Sequence, residues 1–141
     1  MEIFKDDGRV YDWVVQKLDN GESYRNDLTI GIRNDKLELI AGIIYSVVGD
    51  ITYLSIYATD PKWCSSSHLT KIFKLPFEVF ESKIVKCITD SKNKKVNKLL
   101  WGLKLKEEGL LRFARANGSH ERVFSLTEKE LKTKRWYKCQ A

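Results

Sequence analysis

The chain has 141 residues, of which 43% are hydrophobic and 11% aromatic, with 8 Gly and 2 Pro. This composition excludes a disordered, collagenous or low-complexity protein and predicts a single folded domain over residues 1–141. The formal net charge of +6 is uneven, because residues 1–60 carry 6 basic and 11 acidic side chains and residues 61–141 carry 19 and 8. A basic second half of this kind indicates an anionic partner.

The distribution of apolar residues argues against a membrane or secreted protein. No run approaches the roughly 18 apolar residues of a membrane span, and the first ten residues, MEIFKDDGRV, lack a signal pattern. We therefore expect a cytoplasmic protein with no membrane partner. The three cysteines, Cys64, Cys87 and Cys139, are an odd number at no metal-ligand spacing, which predicts reduced thiols and no metal site.

The first 60 residues predict one helix followed by three antiparallel strands. Apolar residues at helical spacing place the helix at residues 9–19, and Asn20-Gly21 is expected to end it. From Leu28 the apolar residues alternate instead, in the segments LTIGIR, LELIAGIIYSVV and ITYLSIYAT. Turn residues at Asn34-Asp35 and Gly49-Asp50 separate these segments, so a β-meander is predicted.

The middle of the chain predicts a βαβ unit. After a loop at Asp60-Pro61 with the sequence KWCSSSH, apolar residues from Leu69 to Phe80 predict a helix. Pro76 lies inside this segment, and an interior proline removes a helical hydrogen bond, so we expect a kink or two short helices. The β-rich run at residues 83–89 follows, and a strand that a helix separates from the previous strand is normally parallel to it.

The last third of the chain predicts a basic helix, a hairpin and a terminal helix. Asp90-Ser91 is expected to cap the first helix, whose apolar side chains from Val96 to Leu103 share one face while lysines occupy the others. The segments LLRFARA and RVFSL, separated by Asn117-Gly118, predict a β-hairpin. The run TEKELKTKRW, beginning at Thr127, starts like a capping box and predicts a C-terminal helix.

Residues 93–109, NKKVNKLLWGLKLKEEG, resemble the second cofactor segment of the GNAT superfamily of N-acetyltransferases. The positions that match the family's offsets are Asn93, Val96, Leu99 and Glu108-Gly109. Residues 110–112 and 123–126 are similar to the branch that includes ribosomal-protein N-acetyltransferases. Arg135-Trp136 resembles the tail of small phage-encoded members.

The resemblance implies the GNAT fold, an α/β architecture in which helices flank a mixed central β-sheet with splayed parallel strands. It also implies acetyl-CoA as the acyl donor, with its pantetheine arm in the gap between those strands. Residues 56–59 (Ile56, Tyr57, Ala58 and Thr59) would then lie along the arm on one strand, with their N–H groups at the thioester oxygen. Asn93 would contact the arm from the other strand, a role that stays open beside that of a helix cap.

The chain departs from the family pattern in three places. Lys104-Leu105 replaces a Gly-Phe pair, and Leu100 stands where many members have a Tyr that is assigned to protonate the leaving thiolate. The pyrophosphate loop, where glycines let backbone N–H groups approach the phosphates, corresponds to residues 64–69, which contain no glycine. The resemblance implies cofactor-binding roles for four residues of this loop, with an ordinary helix-capping loop as the alternative. These residues are Ser65, Ser66, Ser67 and His68.

Candidates for the general base lie on the predicted strands, and Tyr57 is selected as the catalytic residue. Ser55 occupies the same face of its strand. Glu38 and Tyr45 lie on a neighbouring strand and are geometrically compatible with the role. A structural role is the alternative for each of the four.

The predicted function is acetyl-CoA-dependent transfer of an acetyl group to a primary amine of a protein or small molecule. The acidic first half is expected on the acceptor side, because an amine acceptor is cationic. The alternative is a catalytically degenerate GNAT-fold protein that acts by binding, such as a phage structural or host-directed protein. A basic nucleic-acid-binding module is less favoured, because the lysine-rich helix has no recognition-helix context. A phage-encoded protein would act in the host cytoplasm or the virion, and the sequence sets no oligomeric state.

Overall fold

A seven-stranded mixed β-sheet organises the computed structural model, which describes residues 1–18, 25–115 and 117–138. The strands are β1 (Glu2–Lys5), β2 (Leu28–Arg33), β3 (Leu39–Val48), β4 (Ile51–Ala58), β5 (Ile84–Asp90), β6 (Lys106–Leu111) and β7 (Glu121–Thr127). The helices are α1 (Arg9–Leu18), α2 (Ser66–Val79), α3 (Lys94–Gly102) and α4 (Glu128–Leu131), with a 3₁₀ turn at Pro61–Cys64. The strand order across the sheet is β1-β2-β3-β4-β5-β7-β6. No helix among these residues is long and apolar enough to cross a membrane.

Strand pairing confirms the predicted meander and βαβ unit. β2, β3 and β4 are antiparallel neighbours, and β4 pairs in parallel with β5. β1, which is not predicted, adds an antiparallel strand beside β2, with Phe4 opposite Gly31. Its apolar residues Ile3 and Phe4 are adjacent in the chain and therefore show no alternation. The predicted α/β class, with a mixed sheet flanked by helices, is confirmed.

The C-terminal hairpin is placed differently from the prediction. β6 begins at Lys106, before the predicted segment LLRFARA, and ends at Leu111. Every residue of this edge strand is exposed, so its sequence has no apolar alternation to reveal it. Phe113 has a φ of 55° in the connection to β7, and Asn117-Gly118 lies within that connection instead of joining the strands directly.

The main hydrophobic core lies between the sheet and the helices α2 and α3. Alternate side chains of β3, including Ile43 and Tyr45, point into it. They belong to one buried cluster with Phe73 of α2, Leu100 of α3 and Phe124 of β7. The sheet face that carries Tyr45 is therefore the face that α2 and α3 cover.

α1 covers the opposite face of the sheet, where Ile44 of β3 packs with Val10 and Val14. The helix approaches so closely that a Cβ atom at Gly42 would lie 2.4 Å from Cγ2 of Val14. Glycine is thus required at this position to keep α1 against β3. α1 agrees with the predicted helix, whose expected end at Asn20-Gly21 lies outside the described residues.

α2 runs through Pro76 as one helix, so the predicted division into two helices is wrong, and the kink stays a prediction. The proline has no N–H to bond the carbonyl of Ile72, four residues earlier. The buried hydroxyl of Tyr45 donates to that carbonyl at 2.7 Å instead. A side chain from β3 thus satisfies the carbonyl that the proline leaves unbonded, and the helix continues.

Capping residues fix the beginnings of α3 and α4. Asn93, and not the predicted Asp90-Ser91, is the N-cap of α3, with its Oδ1 accepting from the Val96 N–H at 3.3 Å. Asp90 lies four residues before the first residue of α3, too early to be its N-cap, and its Oδ1 accepts from the Lys92 N–H at 2.9 Å instead. The predicted capping box between Thr127 and Glu130 is confirmed, although α4 is shorter than predicted.

The segment after α4 connects α2 to α3 in place of the predicted longer helix. Trp136 Nε1 donates to the carbonyl of Leu103 at 3.0 Å. The Trp136 ring packs against Phe73 with the ring centroids 5.5 Å apart, and its carbonyl accepts from Thr70 Oγ1 at 3.1 Å. These contacts hold the two helices together at the side of the core.

We expect the stability contribution of the Tyr45 hydroxyl to depend on Pro76. Tyr45→Phe leaves the buried Ile72 carbonyl without this donor and should lower the free energy of unfolding by about 1–3 kcal/mol. In a Pro76→Ala background, residue 76 has its own N–H for that carbonyl, so the same substitution should cost less. Urea unfolding of the four proteins of this double-mutant cycle measures the difference. An equal cost of Tyr45→Phe in both backgrounds contradicts the compensation.

Candidate active site

The two parallel strands separate part-way along the sheet. Residues 51–54 of β4 pair with residues 84–87 of β5, and the pairing ends there. β4 stays paired with β3 as far as Ala58, and β5 stays paired with β7 as far as Asp90. Residues 55–58 therefore have no strand partner on the β5 side within the described sheet. The predicted splay is confirmed.

A cleft of about 940 Å³ opens where the strands separate. On the side of the main core it is lined by Ala58, Trp63, Cys64, Val96, Leu99 and Leu100. On the other side its lining includes Lys17, Leu18, Arg25, Tyr53 and Ser55. Because α1 and α3 lie on opposite faces of the sheet and both contribute lining residues, the cleft reaches both faces. Two ligands can thus approach the gap from opposite directions.

The structure brings together the residues predicted to lie along the pantetheine arm. Ile56, Ala58 and Thr59 line the cleft from β4 and the residue after it. Asn93 lines it from the beginning of α3, across the gap. Its role as a helix cap is confirmed, and contact of these four residues with a cofactor stays a prediction.

The predicted phosphate loop leads into the beginning of α2. Ser65 is the N-cap of α2, and its Oγ accepts from the His68 N–H at 3.2 Å, with Ser66 and Ser67 in the first turn. His68 is 8% exposed, and its Nδ1 lies 3.2 Å from the carbonyl oxygen of Trp63. Burial lowers the pKa of His68, which favours the neutral ring over a cation facing phosphate. The four residues lie outside the cleft lining, and their cofactor role stays a prediction.

Ser55 is the one of the four predicted base candidates that lines the cleft. Tyr57 lies on the same face of β4, but its ring packs edge-on against Trp13 of α1, with the ring centroids 5.0 Å apart. Tyr57 is therefore beside the cleft and part of the packing under α1. Its catalytic role stays a prediction.

Tyr45 and Glu38 lie away from the cleft. Tyr45 is fully buried and donates its hydroxyl to Ile72, and burial raises the pKa of this phenol, so it cannot act as a base. Glu38 is exposed beside the turn between β2 and β3, where its Oε1 accepts from Asn34 Nδ2 at 3.3 Å. Both side chains have structural roles.

A charged cluster that the sequence analysis does not predict lies in the cleft at the end of β5. Nε of Arg115 is 3.7 Å from Oδ2 of Asp90, and Nη1 is 3.8 Å from Oε1 of Glu121. Burial raises the pKa of Asp90, but hydrogen bonds from the Lys92 N–H and Asn117, with the Arg115 charge, outweigh it and hold this pKa below its ordinary value. Arg115 falls in a segment predicted as a strand, which concealed the cluster. No local sequence pattern indicates it, because Asp90 and Glu121 come together only through the antiparallel pairing of β5 with β7.

Buried polar contacts hold the α3 wall of the cleft against β5. Asn97 is 2% exposed, and its Nδ2 donates to the carbonyls of Asp90 at 3.1 Å and Ser91 at 3.3 Å. Its Oδ1 accepts from the hydroxyl of Thr89, which lines the cleft. The Asn97 amide thus fixes α3 relative to the splayed end of β5.

The positions where the chain departs from the family motif still build the same kind of turn and core. Lys104 has a φ of 63°, in the left-handed region that favours the glycine it replaces. Leu105 is buried, as expected of a residue that replaces Phe. Leu100 is 2% exposed and lines the cleft, so an apolar side chain occupies the position that the resemblance assigns to a Tyr in many members.

Comparison with known proteins identifies the architecture. No family model and no curated protein matches the chain. Among solved structures it is similar to mutant forms of the spermidine/spermine N-acetyltransferase SpeG from Vibrio cholerae, with 9% identity, a TM-score of 0.71 and coverage of 91% of this chain and 95% of that chain. A chimera of the Vibrio cholerae spermidine N-acetyltransferase SpeG with hSSAT gives 10% identity, a TM-score of 0.72 and coverage of 92% and 98%.

A third similar structure is an acetyltransferase of the GNAT family from Bacillus anthracis. It has 13% identity and a TM-score of 0.59, and the match covers 72% of this chain and 67% of that chain. At these identities the likeness concerns the fold. Together with the strand order and the splayed strands, it shows that the chain has the GNAT fold.

We expect Asn97→Ala to destabilise the protein more than Asn93→Ala. Loss of the Asn97 amide removes one hydrogen bond from each of the Asp90 and Ser91 carbonyls and leaves the Thr89 hydroxyl without its acceptor, which should lower the free energy of unfolding by about 2–3 kcal/mol. Asn93 is exposed, and loss of its N-cap bond should cost about 1 kcal/mol. Urea unfolding of the two variants and the parent compares these costs. Equal costs would show that the buried network does not anchor α3.

We expect the alkylation rate of the Cys64 thiol to depend on pH in a way that reflects its partial burial in the cleft. Burial raises the pKa of Cys64 to about 11. At pH 8 its alkylation by iodoacetamide should be about 10–30-fold slower than that of a small thiol, because a smaller thiolate fraction outweighs the higher nucleophilicity. The rate should keep rising about tenfold per pH unit towards pH 10. Peptide mass spectrometry isolates Cys64 from the other cysteines, and a plateau near pH 8.5 contradicts the expectation.

Proposed function

We propose that this chain, which has the GNAT fold, is an acetyl-CoA-dependent N-acetyltransferase that acts on a primary amine of a protein or small molecule. The observation that carries the proposal is the cleft between the splayed strands β4 and β5. Its apolar lining and its access from both faces of the sheet suit a donor and an acceptor that meet in the gap. Neither a family model nor a curated relative contributes to the proposal.

The residues of the cleft fit the pantetheine part of acetyl-CoA, which supplies an acetyl group activated as a thioester. Residues 55–58 offer backbone N–H and C=O groups that lack a strand partner towards β5. An extended chain bearing amides can hydrogen-bond to such an edge as a further strand would. Ile56, Val96 and Leu99 supply the apolar surface beside it. A β4 N–H aimed at the thioester oxygen would stabilise the negative charge that develops there.

The acceptor would enter from the α1 side of the sheet, past Tyr53 and Ser55. An amine attacks only when it is neutral, so a group near the gap must take its proton. Asp90 and Glu121 line the cleft, but both are paired with Arg115 and the pKa of Asp90 lies below its ordinary value, so they suit attraction of a cationic amine more than removal of its proton. Of the carboxylates in the described lining, Asp60 belongs to the first half of the chain and Asp90 and Glu121 to the second. The expectation that the acidic first half lies on the acceptor side stays a prediction.

A second candidate function is binding without catalysis, in a phage structural or host-directed protein. Leu100 favours this alternative, because it places an apolar side chain where a proton donor for the departing thiolate is needed. Loss of a general acid commonly lowers a rate by about 10²–10⁴-fold. A slow enzyme and a protein without activity are both consistent with such a loss, and measurement of acetyl transfer separates them.

We expect acetyl-CoA to stabilise the folded protein through this cleft. At about 100 times its dissociation constant, a ligand bound to the native state alone adds about 2.7 kcal/mol, which raises the melting temperature. Ala58→Phe should abolish the shift, because the larger side chain would fill the cleft beside β4. Val79→Phe, at an exposed position at the end of α2 outside the lining, is the matched control and should keep the shift.

Acetyl transfer is then measured by mass spectrometry with a panel of small primary amines and amine-bearing peptides. Binding with transfer that Ala58→Phe abolishes supports the enzyme. Binding without transfer supports the degenerate alternative. No thermal shift with acetyl-CoA in the parent chain contradicts the proposal.

A further inference from the structure

We infer that the acceptor is a peptide that carries an acidic group a few residues from its reacting amine, and that Lys17 and Arg25 select this group. The inference rests on the proposed function, because it names the acceptor of the same cleft. It is carried by the charged residues that line the cleft on the α1 side of the sheet. These residues form two groups of opposite net charge on opposite sides of the gap.

The basic group comes from α1 and from the chain that precedes β2. Lys17 and Arg25 both line the cleft and are exposed. Lys17 lies in the last turn of α1 and forms no ion pair with a residue that the structure describes. Apart from Asp60, which follows β4 on the way to α2, the charged lining residues described in the first half of the chain are thus basic.

Hydrogen bonds hold Arg25 on the α1 side of β3. Ser46 Oγ donates to the Arg25 carbonyl, and Ser46 shares a face of β3 with Ile44, which packs against α1. Arg25 Nε lies 2.8 Å from Oδ2 of Asp27, whose carboxylate also accepts from the Val47 N–H at 2.7 Å. Nε supplies one of the five N–H donors of a guanidinium. The Nη groups are further donors, in a geometry that suits a carboxylate of the ligand.

The acidic group lies across the gap, at the end of β5. Tyr53 pairs with Lys86, so Asp90, four residues further on, lies on the same face of the sheet as Tyr53. Glu121 pairs with Asp90, and Arg115 lies near both carboxylates. Two carboxylates and one guanidinium leave a net negative charge, which attracts the ammonium form of an acceptor towards the gap.

The two groups are too far apart to bind the amine and the carboxylate of one α-amino acid, which a single carbon separates. Arg25 is held at β3 and Asp90 ends β5, with β4 between these strands. Neighbouring strands are about 4.8 Å apart, so the separation across the sheet is about 10 Å. An extended peptide advances about 3.5 Å per residue. An acidic side chain about three residues from the amine would therefore reach the basic group while the amine lies near Asp90.

Isothermal titration of the CoA-saturated full chain tests the inference with three peptides, each with one primary amine. The peptides differ only at the third residue from that amine, which is Glu, Gln or Arg. The Glu peptide should bind about three- to tenfold more tightly than the Gln peptide, because ion pairs with the two basic side chains favour it. The Arg peptide should bind more weakly than the Gln peptide, and added salt should reduce both differences.

Two double variants assign the preference to particular residues. Lys17→Gln/Arg25→Gln should bring the affinities for the Glu and Gln peptides to within about twofold of each other. Lys5→Gln/Lys36→Gln removes the same charge from exposed lysines outside the lining and should keep the preference of the parent. Circular dichroism and thermal unfolding establish that each variant is folded.

Several results overturn the inference while the proposed function stands. One is a parent chain that binds CoA but does not prefer the Glu peptide, or that binds none of the three peptides. Another is a preference that Lys17→Gln/Arg25→Gln retains or that Lys5→Gln/Lys36→Gln also loses. Absence of CoA binding by the parent chain overturns the inference together with the proposed function.

Discussion

The separation of β4 from β5 is the constraint on which the candidate active site depends. Each strand stays paired on its outer side, β4 with β3 as far as Ala58 and β5 with β7 as far as Asp90, so the gap opens while both strands remain supported. Backbone polar groups along residues 55–58 then need water or an extended ligand as partners towards β5. The site is therefore a consequence of how the sheet is paired. For this reason the fold carries the functional proposal even where individual motif residues differ.

Two buried side chains maintain the helices around this gap. Tyr45 bonds the α2 carbonyl that Pro76 leaves unbonded, and Asn97 bonds two carbonyls at the end of β5 while accepting from Thr89. A buried polar group without a partner costs about 1–3 kcal/mol, whereas apolar packing tolerates small rearrangements at lower cost. These hydrogen bonds therefore specify the positions of α2 and α3 more narrowly than the surrounding apolar contacts do. The shape of the cleft follows from those positions.

Local patterns predict much of this fold, and contacts between distant residues account for what they miss. Apolar residues alternate with other residues in Leu28–Arg33 and in the two strands that follow it, and this alternation predicts the meander because each strand has one face in the core. The intact helix at Pro76 depends on Tyr45, which is 27 residues from Ile72 and invisible to any local rule. Serine is common both in loops and at helix N-caps, so the sequence alone does not decide which role Ser65 has. The position at which α2 begins makes it an N-cap. The Arg115 cluster is missed for a related reason, since its members meet through strand register and a long connection.

The departures from the family motif separate the residues that build the fold from those that would perform chemistry. Lys104 takes a left-handed conformation that costs a non-glycine residue about 1 kcal/mol or more, and Leu105 fills the core beside it, so the turn after α3 is retained. Leu100 also packs well, but it has no proton to give. An acyl transferase without a donor at that position must protonate the departing thiolate from water or from another lining group. Ligand binding needs no such proton. Under the proposed function, affinity for acetyl-CoA would depend on the shape of the cleft, whereas the rate of acetyl transfer would depend on a proton path that Leu100 does not supply.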